Sequence, residues 1–200
     1  VVLTVVASDL GEATVSPASL TFTAANWNTA QTVTVTAADD LIVDGPVGST
    51  VTVSVDAANT DNAWDAVANQ TVAVTTNDDD LPGFTLSKTA VTVSEPNTAE
   101  TFTVVLTKQP LTDVVLTVVA SDLGEATVSP ATLTFTAANW NTAQTVTITA
   151  ADDQIVDGAV ASTVTVSVDD ANTDNAWDAL AAQTVAVTTN DDDAPGFTLS

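Results

Sequence analysis

Apolar and polar side chains alternate along most of this chain with a period of two. Val146 and Ile148 alternate with Thr145, Thr147 and Thr149, and Leu133 and Phe135 with Thr132, Thr134 and Thr136. Successive side chains of an extended backbone point to opposite faces, so the pattern predicts strands with one buried face and one wet, Thr-rich face. The runs are rich in β-branched residues, are bounded by Gly, Pro, Asn and Asp, and leave no stretch with helical spacing. Over residues 81–193 the pattern predicts seven strands, at 83–87 continuing to 90–94, 101–107, 114–120, 132–136, 145–150, 163–168 and 184–189. Sheets with one apolar face must pair to hide it, which predicts an all-β fold of antiparallel β-sandwiches.

The pattern occurs twice. Residues 1–87 recur as residues 114–200, at an offset of 113 and with nine substitutions. The seams are acidic: Asn77-Asp78-Asp79-Asp80 and Asn190-Asp191-Asp192-Asp193 are each followed, after one variable residue, by Pro-Gly-Phe-Thr-Leu-Ser. Boundaries at these seams predict an incomplete sandwich repeat at 1–80 lacking its first two strands, a complete repeat at 81–193, and the first strand of a following repeat at 194–200. The expected setting is a longer tandem array. Head-to-tail assembly of short chains is the alternative, although residues 195–200 would replace only the first of the two missing strands.

Consecutive antiparallel strands alternate in direction, so every second connection falls at the same end. Glu95, then Asp122 and Glu125, then Asp152, Asp153 and Asp157, and finally Asp191, Asp192 and Asp193 therefore gather at one pole. Composition sharpens the point, since the net charge is −24, from 26 acidic residues against Lys88 and Lys108. Carboxylates this close repel one another, so the pole is either a solvated acidic end or a place where a cation supplies the missing charge. Oxygens carried on several loops suit the irregular shell of Ca²⁺ better than the tight octahedron of Mg²⁺. The same charge argues against nucleic-acid binding and against anionic membranes. Cys, Met, His and Tyr are absent, which excludes disulfides, thiolate or imidazole metal sites and His-dependent nucleophiles. A hydrophobic fraction of 45% argues against disorder. No apolar run is long enough to span a bilayer, and the first residues lack the basic flank of a signal peptide. Paired carboxylates that recur identically in each repeat read as structural rather than as a glycosidase pair, so no enzyme is expected.

The elements that carry a family likeness are Val91-Thr-Val-Ser-Glu95, Ala131-Thr-Leu-Thr-Phe135, Thr145-Val-Thr-Ile-Thr149, the pair Asp152 and Asp153 with Asp157, and the closing Asn190-Asp-Asp-Asp193. Together they resemble the Calx-beta domain and the similar Ig-like extender repeats of large RTX-type bacterial surface adhesins. The resemblance implies tandem Ig-like (Calx-beta-like) sandwiches of about seven strands per repeat that bind Ca²⁺. It implies metal ligands at Glu95, Asp152, Asp153, Asp157, Asp191, Asp192 and Asp193, with Asp122 a looser match. The counterparts in the first repeat are Asp39, Asp40, Asp44, Asp78, Asp79 and Asp80. Affinities of about 10⁻⁴ to 10⁻³ M, usual for extracellular modules, are expected.

The opposite pole carries Trp27 and Trp140 in short turns and Trp64 and Trp177 in a long connection before the last strand. Two functions stand as expectations. One is a structural extender or filament-forming repeat of a secreted or cell-surface bacterial adhesin, stiffened by Ca²⁺ at junctions as short as Ala194-Pro195-Gly196. Its partners would be neighbouring repeats or head-to-tail copies, with no nucleic acid and no membrane insertion. The other is an adhesion module in which exposed Trp27, Trp64, Trp140 and Trp177 stack on host or environmental glycans. Both imply an extracellular location.

Overall fold

A computed structural model describes residues 1–198. The chain divides into two compact units, Val1–Asp79 and Asp80–Ser200.

The first unit contains β1 (Val2–Ala7), β2 (Ala13–Ser16), β3 (Ser19–Thr21), β4 (Thr34–Ala37), β5 (Ile42–Val43), β6 (Val47–Val55) and β7 (Gln70–Thr76). One sheet runs in the order β3-β1-β6-β7, and β2 pairs with β4 in a separate ladder. Alternate residues of these strands meet in a small core, where Val5, Ala7, Leu20 and Val51 are buried and Leu3, Val15, Phe22, Val33, Val53 and Val74 are partly covered.

The second unit adds β8 (Phe84–Leu86), β9 (Ala90–Ser94), β10 (Ala99–Leu106) and β11 (Gln109–Pro110) ahead of the recurring elements. These are β12 (Val114–Ala120), β13 (Ala126–Ser129), β14 (Thr132–Phe135), β15 (Gln144–Ala150), β16 (Val160–Val168) and β17 (Gln183–Asn190). Two sheets result, β13-β15-β10-β8 and β14-β12-β16-β17-β9. The apolar alternation lands where expected, with Leu133, Phe135, Val146 and Ile148 essentially inaccessible and Phe102, Leu116, Val166 and Val185 packed among them. This is a β-sandwich.

Three features depart from the expected strand plan. The run 83–94 is two strands in two sheets: Ser87 still bonds to Thr103 of β10 (N···O 2.9 Å), whereas Ala186 of β17 already donates to Thr89 O at 2.9 Å, so the chain changes sheets at Lys88. Because β9 keeps the direction of β8, it lies parallel to β17, with Ala90 opposite Ala186 and Ser94 opposite Asn190, and the sandwich is not wholly antiparallel. A short strand, β13, also pairs with β15 ahead of β14. Its alternation covers too few positions to stand out, and Pro130, lacking an N–H, ends it. Residues 191–198 carry no regular structure, and of the strand expected at 194–200, Leu199 and Ser200 lie outside the described residues.

One end of the second sandwich is closed by a 3₁₀ turn, Asn175–Trp177. Asp174 caps it, accepting from Ala176 N at 3.1 Å, and its other oxygen accepts from Thr112 N at 3.0 Å, which ties the turn to the β11-β12 connection. The turn so held drives Trp177 inward until none of its surface is exposed. Asp174 thus serves the loop's own backbone.

The identical turn in the first unit leaves Trp64 48% exposed. Trp177→Ala is therefore expected to lower the stability of its unit by about 3–5 kcal/mol, and Trp64→Ala to change stability by roughly 1 kcal/mol or less. Urea unfolding followed by far-ultraviolet circular dichroism would separate the two.

Candidate metal centre

The parallel pairing of β9 with β17 sets the site. Glu95 follows Ser94 directly and Asp191 follows Asn190, so two strand ends that lie side by side run straight into acids. The pairing continues one residue further, with Glu95 N donating to Asn190 O at 3.0 Å. The chain then turns sharply through Asn97, whose φ of 61° is tolerated by a short polar side chain, and Thr98 Oγ1 closes the turn onto Ser94 O at 2.6 Å. β15 delivers Asp152 and Asp153 just beyond Ala150.

These three strand ends bring five carboxylates together. One oxygen from each of Glu95, Asp152 and Asp192 lies within 4.8 Å of the others, and the same holds for Glu95, Asp153 and Asp193. Glu95 is common to both sets. It is 8% exposed, and its Oε2 is buried with no hydrogen-bond partner, as is Asp193 Oδ2. A buried anionic oxygen without a donor is costly, and most such atoms in folded proteins have a partner. Burial first, then the charges of Asp153, Asp191, Glu125 and Asp192, push the Glu95 carboxyl above its ordinary pKa. Burial and the neighbouring Asp191, Asp192, Asp153 and Asp152 do the same to Asp193.

The other expected ligands do different work. Asp191 clasps the loop after β15, its Oδ2 accepting from Asp157 N at 3.1 Å and Gly158 N at 2.9 Å, and its Oδ1 from Asp193 N at 2.7 Å. These bonds favour the anion and hold Asp191 below the usual range. Gly158 can present its N–H because its φ of 76° costs a glycine nothing. Asp122 is turned onto Gly124 N at 2.9 Å in a local turn. Asp157 and Asp122 are exposed and belong to neither set, but both face Glu125 closely enough to raise its pKa, after burial, which is the larger cause.

In the first unit Glu12, Asp40 and Asp44 bring carboxylate oxygens within 4.8 Å. Asp78 repeats the clasp, accepting from Asp44 N at 3.0 Å and Gly45 N at 2.9 Å. Asp39 and Asp79 are exposed outside that set. Asp80 forms an ion pair with Lys108 within the second unit, so the seam acids have a basic neighbour.

Glu12 is the residue of this set that the sequence pattern missed, and Glu125, placed at the pole by strand parity, was not among the expected ligands. Each stands at the mouth of the unrecognised short strand, just before a fully buried Ala13 or Ala126. The main chain there is pinned by Thr76 Oγ1 donating to Glu12 O at 3.1 Å and Thr189 Oγ1 to Glu125 O at 3.3 Å. The recurring Gly-Glu-Ala at 11–13 and 124–126 was the available signal.

At the other pole Trp177 is buried, so it offers no face to a sugar, and this expectation is corrected: Trp177 is a core plug. Trp140 is half-buried, and Trp27 is 71% exposed.

No protein-family model matches the chain, and no curated protein matches it. Among solved structures it is similar to domains 1–6 of the surface layer protein SbsC, at 16% identity and a TM-score of 0.42 over 94% of this chain and 20% of that one. It is also similar to the periplasmic chaperone SfaE, at 12% identity and a TM-score of 0.41 over 55% of this chain. A third is the E. coli chaperone DraB, at 11% identity and 0.41 over 58% of this chain. The chain spans 58% and 59% of the lengths of the two chaperones. At such scores no function carries over from any of them. No helix among the described residues is long and apolar enough to cross a membrane.

The raised carboxyls give a pH dependence of defined sign. Glu12, Glu95, Glu125 and Asp193 bind protons more tightly folded than unfolded, so metal-free protein should gain stability as pH falls from neutral toward the ordinary carboxylate range. Asp191, held low, opposes this only further down, as pH drops through its folded value. Thermal melts in chelator across that range check the prediction, and a melting temperature that falls monotonically from neutral pH would contradict it.

Proposed function

We propose that this chain is a Ca²⁺-binding structural repeat of the extracellular surface, an extender or filament element of Calx-beta-like type whose stiffness depends on the ion. One observation carries the reading: Glu95 keeps an oxygen buried and without a partner inside a cluster of aspartates. The ammonium groups of Lys88 and Lys108 pair with Glu100 and Asp80. A hard divalent cation fits what is left, because every donor is a carboxylate oxygen.

Glu95, Asp152, Asp153, Asp192 and Asp193 would hold the ion in the second unit, and Glu12, Asp40 and Asp44 would hold one in the first. Bound Ca²⁺ would supply the positive charge that these groups lack. The chain's own residues do the rest. Asp191 keeps the loop after β15 against the end of β17, the Asn97 turn fixes Glu95, and the Asx turn of Asp153 onto Ile155 N at 2.6 Å aims its carboxylate. Residues 191–193 lead directly into Ala194-Pro195-Gly196, where proline already narrows the backbone. An ion that fixes these acids removes much of the remaining freedom, which is the proposed basis of stiffening. The glycan reading, having lost Trp177, has no such observation behind it.

Calorimetric titration of Ca²⁺ into chelator-stripped protein, with melting curves and small-angle scattering, tests the proposal. Saturable binding, a higher melting temperature and a longer maximum dimension are expected. Glu95→Gln should weaken binding at the sites that share Glu95 by about tenfold or more, in the range seen when a metal-site group is altered, and leave the Glu12 site intact. An effect no larger than that of equal ionic strength in NaCl would sink the reading.

A further inference from the structure

Glycine follows aspartate at only two places in this chain, Asp44-Gly45 and Asp157-Gly158, each in the loop that leads into the long strand of its unit, β6 or β16. The loop demands the glycine. Gly45 has a φ of 71° and Gly158 a φ of 76°, a left-handed conformation that glycine adopts without steric cost. Among the described residues, no group beyond the chain neighbours lies within 4 Å of a Cβ built at either position. Backbone conformation, not crowding, therefore fixes the residue type.

That choice carries a chemical hazard. With no side chain on the following residue to obstruct it, the Gly158 nitrogen can attack Cγ of Asp157. The N–Cγ bond forms, a Cγ–O bond breaks, and the hydroxyl leaves with the N–H proton as water, which closes a succinimide ring. Water then opens the ring at either carbonyl. One opening restores aspartate, and the other leaves the main chain running through Cβ as isoaspartate. No further reactant is needed, and Asp157 and Gly158 are exposed in a stretch, 151–158, without regular structure, so water reaches them.

The clasp by Asp191 opposes the first step. Asp191 Oδ2 accepts from Asp157 N at 3.1 Å and from Gly158 N at 2.9 Å. Two successive N–H groups reach one oxygen only when both nitrogens lie on the same side of the Cα–C bond of Asp157. Ring closure needs a different rotation about that bond, one that sets the Gly158 nitrogen beside Cβ. The nitrogen and Cβ of Asp157 leave Cα in different directions, so a single rotation cannot serve both. The first unit repeats the arrangement, with Asp78 Oδ2 accepting from Asp44 N at 3.0 Å and Gly45 N at 2.9 Å.

We infer that Asp157-Gly158 is a latent isoaspartate-forming site held shut by the Asp191 carboxylate, and that Asp44-Gly45 stands in the same relation to Asp78. The first aspartate of each seam thus protects the main chain of the loop it clasps. An isoaspartyl link adds a carbon to the main chain and draws the two N–H groups apart, so the change, once made, releases the clasp. The inference concerns the clasp alone and does not rest on a bound ion.

The test uses the whole chain in chelator at neutral pH, with Asp157→Asn as a reporter. Ammonia then leaves in place of water, and each conversion appears as a mass gain in the peptide that carries residue 157. Conversion in the folded protein should be slower than in urea by about tenfold or more, the factor that corresponds to one hydrogen bond to a charged group. Adding Asp191→Ala should bring the rate close to that in urea, whereas Asp192→Ala, which removes a neighbouring charge but no clasp, should leave it slow. Asp78→Ala on an Asp44→Asn background repeats the comparison in the first unit, and far-ultraviolet circular dichroism checks that each variant keeps its sheets. Equal rates in the folded protein and in urea overturn the inference. So does a folded Asp191→Ala variant that converts no faster than Asp192→Ala.

Discussion

A sheet with one apolar face is stable only when something apolar lies against it, and this constraint governs the molecule. The hydrophobic effect has no direction of its own, so a residue's burial belongs to its cover as much as to its identity. The near-identical units demonstrate this within one chain. Where β8, β9 and β10 are present, Trp177, Ile148 and Val185 vanish from the surface. Where they are absent, the same residue types stand in the open.

The acidic pole follows from how that cover is laid down. By changing sheets at Lys88, the chain places β9 parallel to β17 rather than antiparallel, and parallel strands finish at the same end. Glu95 and Asp191 are therefore neighbours because of a strand direction, and an antiparallel β9 would have carried Glu95 to the pole of the tryptophans. β15 ends at the same pole, and its two aspartates complete the group. The site is thus a by-product of sandwich closure.

Within the pole the carboxylates divide by partner. Asp191, Asp153 and Asp122 accept from backbone N–H groups and organise loops. Glu95 and Asp193 each have a buried oxygen with no donor in reach. Protonation and cation binding are alternative ways to relieve the same unfavourable charge, so Glu95 and Asp193, pushed toward the protonated state, are also groups that the proposed ion would engage.

The alternation of Thr with Val, Leu, Ile and Phe was enough to determine an all-β sandwich, and the repeat at an offset of 113 was enough to locate the acidic seams. Both are local or self-comparative signals, written in side-chain period and identity. Strand parity also gathered the acids at one pole without coordinates, because direction alternates whatever the packing. The tertiary structure decided what depends on partners distant in sequence. It split residues 83–94 between two sheets, since Ser87 and Thr89 find hydrogen bonds on opposite layers. It sorted Asp191 from Asp192 and Asp193, although the three are chemically alike, because only Asp191 meets the N–H groups of Asp157 and Gly158. It brought Glu12, unremarked in the sequence, together with Asp40 and Asp44. It also made Trp177 a core plug and left Trp64 in the open, a difference that no reading of two identical segments could supply, because it is set by strands that lie elsewhere in the chain.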